Sequence, residues 1–328
     1  MNEEQQMDSV KGNVKLWQGI LMLGLGALVL YILSPILQMH FGLVGNLIAE
    51  WLLVVIAIVL LLVGRSSIPH AFPIAKPKLP TMIGVLLIWG GTFWIANLGT
   101  QFLAILFPEE LMGLSSGLGS AFSDGPFLLS VIIIAITPAI CEEIMFRGIV
   151  LNSMRSFKGK WIAILISAVL FGIFHGSVFR FIPPTLLGIA MGYIFMETGN
   201  MLYTIVFHFI NNMVPLIILY SMQVFIGEDV FGDAMQMVEA NGNSAFIASF
   251  GSTLMFSGVA LFFIYIGRHL LHKGQPGYEC GLFPKEKQKI LFALVGMTVL
   301  CFVVGMLIMM GNVMSMIPDI VESMPDVM

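Results

Sequence analysis

Apolar runs of about 18 or more residues dominate this chain and leave it one class of fold. In lipid the backbone polar groups must be satisfied inside the segment, which leaves helices or closed barrels. The runs here lack the alternation of barrel strands, so they read as helices. They lie at about 16–39, 43–64, 81–107, 127–154, 160–178, 181–198, 201–225, 246–270 and 289–312. Pro and Gly punctuate the joins, at Pro69 to Pro80, Pro108, Gly125-Pro126, Gly199-Asn200 and Gly274 to Gly277. The expectation is an all-α, polytopic transmembrane helix bundle of about nine spans. Composition agrees: 10% of residues are charged, against about 25% in soluble domains.

Charge placement gives an orientation. Lys11 and Lys15 precede the first span, and Arg65, Lys76 and Lys78 follow the second. Arg155, Lys158 and Lys160 follow the fourth, and Arg268, Lys273, Lys285, Lys287 and Lys289 gather before the last. All fall on one side, which the positive-inside rule makes cytoplasmic. Acids collect on the other side, at Glu109, Glu110, Asp124, Glu228, Asp229, Asp233, Glu239, Asp319, Glu322 and Asp326. Arg180, in a very short loop, breaks the pattern. The N-terminus is therefore expected in the cytoplasm and the C-terminus outside. No basic, aromatic-rich stretch suggests nucleic acid as a partner. Three cysteines, Cys141, Cys280 and Cys301, form no CxxC pair and no disulfide framework.

Three polar islands interrupt the apolar helices: Glu142 to Arg147, Phe171 to His175, and His208 to Asn212. Such clusters inside a membrane mark functional sites. Glu143 and Arg147 are four apart, so they share a helix face and can pair. Glu142 is turned about 100° away and is left for another partner. His208 and Asn212 present an imidazole and an amide to one point, and Phe171 can wall His175 from lipid. At 1.5 Å per residue Glu142 lies about 18 Å from the cytoplasmic end of its span, His175 about 22 Å and His208 about 10–12 Å. One layer of the bilayer can hold all three. Pro138 removes a helical hydrogen bond just before the carboxylates and is expected to kink the span.

A carboxylate beside an imidazole can bind and deprotonate a water. A second imidazole with an amide can donate to a developing oxyanion. The set suits amide hydrolysis. It also suits an ion or proton pathway, because Glu, His and Arg chains serve proton relays, and it suits buried structural ion pairs. Two His and a Glu are ligand types for a catalytic divalent metal such as Zn²⁺, although no HExxH is present. The cofactor question stays open at this point. Glu50, beside Trp51, reads as an interfacial residue near the outer end of the second span. Cys141 reads as small apolar filler, Gly188 and Gly192 as a packing pair, and His40, His70, His269 and His272 as solvated surface.

Glu142-Glu143-x-x-x-Arg147, Phe171-x-x-x-His175 and His208-x-x-x-Asn212, in this order on successive helices, resemble the CPBP family. That family includes the CAAX prenyl protease type 2 (Rce1-like) enzymes and the bacteriocin-processing or immunity proteins called Abi. Pro138, Phe146-Arg147-Gly148 and Glu197-Thr198-Gly199 fit the same pattern. The resemblance covers about residues 125–220. It divides the chain into an N-terminal membrane region (1–124), a peptidase core (125–225) and a C-terminal membrane region (226–328). It implies an intramembrane endopeptidase of a bacterial plasma membrane, open toward the cytoplasmic leaflet and acting on a peptide or membrane-protein substrate among lipids. By the family pattern Glu142 activates water with help from His175, His208 and Asn212 form the oxyanion site, and Glu143 with Arg147 holds the geometry. The family is commonly labelled metalloprotease, and the same residues support a metal-free glutamate mechanism. Some relatives act as immunity factors or scaffolds.

Overall fold

The structure, a computed structural model, describes residues 13–113, 126–226, 243–273, 275 and 277–323. Lys11, Asp124, Gly125, Glu228, Asp229, Asp233, Glu239, Gly274 and Asp326 lie outside the described residues. The main helices are α1 (Leu16–Phe41), α2 (Leu43–Gly64), α3 (Leu79–Leu106), α4 (Phe127–Leu151), α5 (Lys160–Ile173), α6 (Ile182–Thr198), α7 (Met201–Ile226), α8 (Asn243–Lys273) and α9 (Gln288–Ser323). No strand occurs among the described residues. The chain is a polytopic helical membrane bundle. Seven of these helices are long and apolar enough to cross a bilayer, by length and composition among the described residues.

The exceptions are α5, with 14 residues, and α6, with 17. The fifth apolar run was expected to continue to about residue 178, but its helix ends at Ile173. The chain turns there through Gly176, whose φ of 73° suits a residue without Cβ. The returning α6 then packs closely on α5. A Cβ on Gly188 would lie 3.1 Å from the Ala168 Cα, and one on Gly192 would lie 3.3 Å from Ile164. A Cβ on Gly172 would run into Thr185 Oγ1 and come within 2.9 Å of the Phe181 carbonyl. Small residues at these points let two backbones approach in a setting where packing, not water exclusion, drives helix association. The same device joins α3 to α8, where a Cβ on Gly84 would lie 2.6 Å from the Gly267 carbonyl.

Helix α4 runs through the centre. Residues Met145 to Leu151 are all buried. Its hydrogen bonding widens to the π pattern at Val131–Ile136, just before Pro138, and again at Ile144–Leu151, just after the carboxylates. Pro138 has no N–H to give the Ile134 carbonyl four residues earlier. Asn212 Nδ2 from α7 donates to that carbonyl at 3.2 Å. The kink-forming residue thus creates an acceptor, and a site residue on a neighbouring helix satisfies it.

The two ends of the bundle differ. At the first end lie the start of α1, the end of α2, the start of α3, the end of α4, the start of α5 and the end of α6. Hydrogen bonds knit these together: Lys15 Nζ donates to Gly64 O at 3.0 Å, Asn152 Nδ2 to Ala71 O at 3.0 Å, and Asn200 Nδ2 to Ala75 O at 2.9 Å. Gln18, fully buried, donates to Leu60 O at 2.7 Å and accepts from Ser66 Oγ at 2.9 Å. At the second end lie the α1–α2 turn at Gly42 and the α5–α6 tip.

Candidate functional site

Glu143 and Arg147 form the floor of the site. Arg147 Nη1 donates to Glu143 Oε1 at 2.8 Å, and their side chains are 0% and 1% exposed for Glu143 and Arg147 respectively. Spacing of four on a helix brings them together. Arg147 Nη2 also donates to the Gly188 carbonyl at 3.3 Å. Its guanidinium stands 4.8 Å from the centre of the Phe171 ring, a cation–π contact. The Gly188 packing position therefore brings an α6 carbonyl within reach of the central charge.

His208 bridges the two carboxylates. Its Nδ1 lies 3.1 Å from Glu143 Oε1, and its Nε2 lies 3.9 Å from Glu142 Oε2. An arginine stays charged in proteins, and the carboxylate paired with it accepts hydrogen bonds. His208 Nδ1–H is then the donor to Glu143, and Nε2 faces Glu142. His208 and Asn212 were expected to converge on one point. The Asn212 amide donates to the Ile134 carbonyl at 3.2 Å and accepts from Asn211 Nδ2 at 3.3 Å. The acceptor left by Pro138 explains the first of these bonds.

His175 sits two residues beyond the end of α5. Its Nδ1 is 2.8 Å from the Phe171 carbonyl. A carbonyl can only accept, so Nδ1 carries the proton and Nε2 keeps a lone pair. Phe171 packs edge-on against both imidazoles, with ring centres 4.8 Å from His175 and 5.8 Å from His208. Phe171 therefore walls both rings, one more than sequence spacing suggested.

Glu142 and His175 open onto one cavity of about 340 Å³, lined also by Ser34, Gln38, Asn46, Glu50 and Arg180. Glu50 is 5% exposed, while its neighbour Trp51 is 46% exposed. The interfacial reading of Glu50 is corrected. Helix α2 turns Trp51 outward and Glu50 inward, where it becomes the cavity's second carboxylate. No described residue hydrogen-bonds Oε2 of Glu50 or Oε2 of Glu142. The missed signal is a spacing: Asn46 and Glu50 are four apart on α2, as Ser34 and Gln38 are on α1. Gln38 Nε2 donates to Ser34 Oγ at 3.0 Å, which makes this wall polar. Two of the histidines read as surface are also partnered. His272 Nε2 lies 3.1 Å from Glu197 Oε2, and His269 Nδ1 lies 3.2 Å from Tyr278 Oη.

Residues 124–214 match the family model described as type II CAAX prenyl endopeptidase Rce1-like. That stretch is similar to the Rce1-like family. It holds every residue of the three polar islands. Searches of curated proteins and of solved structures found no match. The Rce1-like match supports a membrane protease type of function, and with it a peptide substrate in a lipid environment. Among the described residues no group of three or more His, Cys, Asp or Glu side chains is placed to hold a metal ion.

Proposed function

We propose that the chain is an intramembrane endopeptidase of the CAAX prenyl protease type 2 kind in a bacterial plasma membrane, with Glu142 as general base. The observation that carries this reading is the shared cavity. Glu142 and the lone-pair nitrogen of His175 face one polar space inside a hydrophobic bundle. A water held there donates one hydrogen to His175 Nε2 and loses the other proton to Glu142 as its oxygen bonds to the peptide carbonyl carbon. The oxyanion accepts from His208 Nε2–H. An amide nitrogen carries two hydrogens. Asn212 uses one on Ile134 and keeps one for the oxyanion. Glu142 then returns its proton to the leaving amine as the C–N bond breaks. Glu143 and Arg147 hold His208 in place and touch no reacting atom.

The deciding experiment is cleavage of a fluorogenic peptide library by purified protein in detergent, beside Glu142→Gln and His175→Ala. Wild type should cleave, and loss of the general base should lower the rate by about 10²–10⁴. Cleavage should persist with a chelator present. Equal inertness of wild type and Glu142→Gln, with both supporting the same cellular phenotype, sinks the peptidase and leaves a scaffold or immunity protein. Proton flux through reconstituted liposomes, abolished by Glu142→Gln, replaces it with a transporter.

A further inference from the structure

We propose that the cavity opens on the extracytoplasmic face of the membrane, so that the site takes polypeptide segments presented from outside rather than cytoplasmic C-termini. The resemblance implied the opposite side. Two independent observations meet here: where the cavity sits along the helices, and where the cations sit.

The cavity belongs to the second end of the bundle. From Gly64 at the first end, Glu50 is fourteen residues along α2, a rise of about 21 Å. From Lys160, also at the first end, the 14 residues of α5 rise about 21 Å, and His175 follows two residues beyond its end. Glu142 is nine residues from Leu151, or about 14 Å. In a hydrocarbon core about 30 Å thick, Glu142 is near the middle, and the other polar residues that line the cavity lie beyond it, in the leaflet away from the first end. The wall residues Gln38 and Asn46 flank the Gly42 turn, and Arg180 lies in the α5–α6 tip. That tip is low. The 14 residues of α5 rise only about 21 Å, whereas the 26 residues of α1 rise about 39 Å. The shortfall leaves a recess above the tip, walled by α1 and α2, which leads from the second end down to Glu142. Tyr31 Oη fixes one side of it by donating to Ile173 O at 2.7 Å.

The cations mark the first end as cytoplasmic. The chain has 15 Lys and Arg residues. Arg147 is in the core and Arg180 is at the recess. Every other described one lies in a segment at the first end: Lys15, the α2–α3 connection, the α4–α5 connection, and the stretch from Arg268 to Lys289. Positive residues in short connections stay on the cytoplasmic side. A bundle with its first end in the cytoplasm has its recess outside. An N-terminus in the cytoplasm and a site facing the cytoplasm are mutually exclusive in this fold, and the charges choose the first.

The side of the recess stands apart from the peptidase reading, whereas cleavage of the polypeptide that enters it rests on that reading. The test reads the two separately. Native Cys280 is exposed at the first end, and Cys141 is buried. In a Cys301→Ala background, intact cells are treated with a membrane-impermeant maleimide before and after permeabilisation. Cys280 should be labelled only after permeabilisation. In the Cys280→Ser, Cys301→Ala protein, cysteines introduced as His40→Cys and Val178→Cys should be labelled in intact cells; Val178 is 83% exposed at the tip. Labelling of Cys280 in intact cells, or failure to label His40→Cys there, overturns the proposal. In parallel, a membrane-impermeant fluorogenic peptide is added to right-side-out and inverted vesicles. Cleavage by the right-side-out set alone supports the proposal, and cleavage by the inverted set alone overturns it. Silence in both sinks the peptidase reading and leaves the labelling result to decide the side.

Discussion

Replacing Arg147 by Met should destabilise the bundle severely, and the reason is electrostatic. Both members of the Glu143–Arg147 pair are out of reach of solvent. Removing one partner of a buried pair leaves an uncompensated charge and costs about 3–5 kcal/mol. The cation–π contact with Phe171 adds about 0.5–2 kcal/mol. At about 2–4 °C per kcal/mol, the melting temperature in detergent should fall on the order of 10 °C or more. Arg147→Lys keeps the charge but loses the fork that reaches Glu143 and Gly188 O together, so it should recover only part of the loss. The telling comparison is the double variant Glu143→Gln, Arg147→Met. If the stranded carboxylate is the cause, neutralising it should restore at least half of the lost stability. Thermal unfolding of wild type, Glu143→Gln, Arg147→Met, Arg147→Lys and the double variant measures this directly. A double variant whose loss equals the sum of the single losses refutes the argument and makes Arg147 a packing residue.

Glu50→Gln should keep the fold and lower kcat/KM by about tenfold, or about 1.4 kcal/mol of transition-state stabilisation. Glu50 shares the cavity with Glu142 but is given no reacting atom, so unchanged kinetics would make it a structural wall residue. Asn212→Leu should cost about 1–3 kcal/mol, because it strands the Ile134 carbonyl freed by Pro138. The readout is thermal unfolding of a Pro138→Ala background beside wild type. The Asn212→Leu penalty should shrink once the helix can supply its own N–H, and an undiminished penalty counts against the link.

The helices were legible because lipid leaves the backbone so few options. The expected ends of α2 coincide with those observed, and α3 and α7 differ by only one or two residues. The Glu143–Arg147 pair was legible for a similar reason, since residues four apart on one helix must meet. What sequence could not give was contact between helices. The partner of His208 is set by how α7 leans on α4, and no spacing encodes that tilt. The bond from Asn212 to the Ile134 carbonyl was not legible, because the cost of Pro138 was charged to α4 alone, with its bend, and not to the neighbour that repairs it. Glu50 was misplaced because depth along α2 was read and rotation was not. Residues 50 and 51 lie at nearly one depth but are turned about 100° apart, which buries one and exposes the other.

The burial of Glu50 bears on how the chain divides labour. The Rce1-like match begins at residue 124 and supplies Glu142, His175, His208 and Asn212. The facing wall of the cavity, from Ser34 and Gln38 to Asn46 and Glu50, comes from α1 and α2, outside that match. Without α1 and α2, Glu142 would border lipid on that side, where no water could be held against it. In the proposed mechanism the matched stretch carries the groups that act on water, and the first two helices supply the polar wall that holds it. A carboxylate proposed as a base inside a membrane needs such a wall as much as it needs its own charge. In this chain the polar wall and Glu142 come from different parts of the sequence.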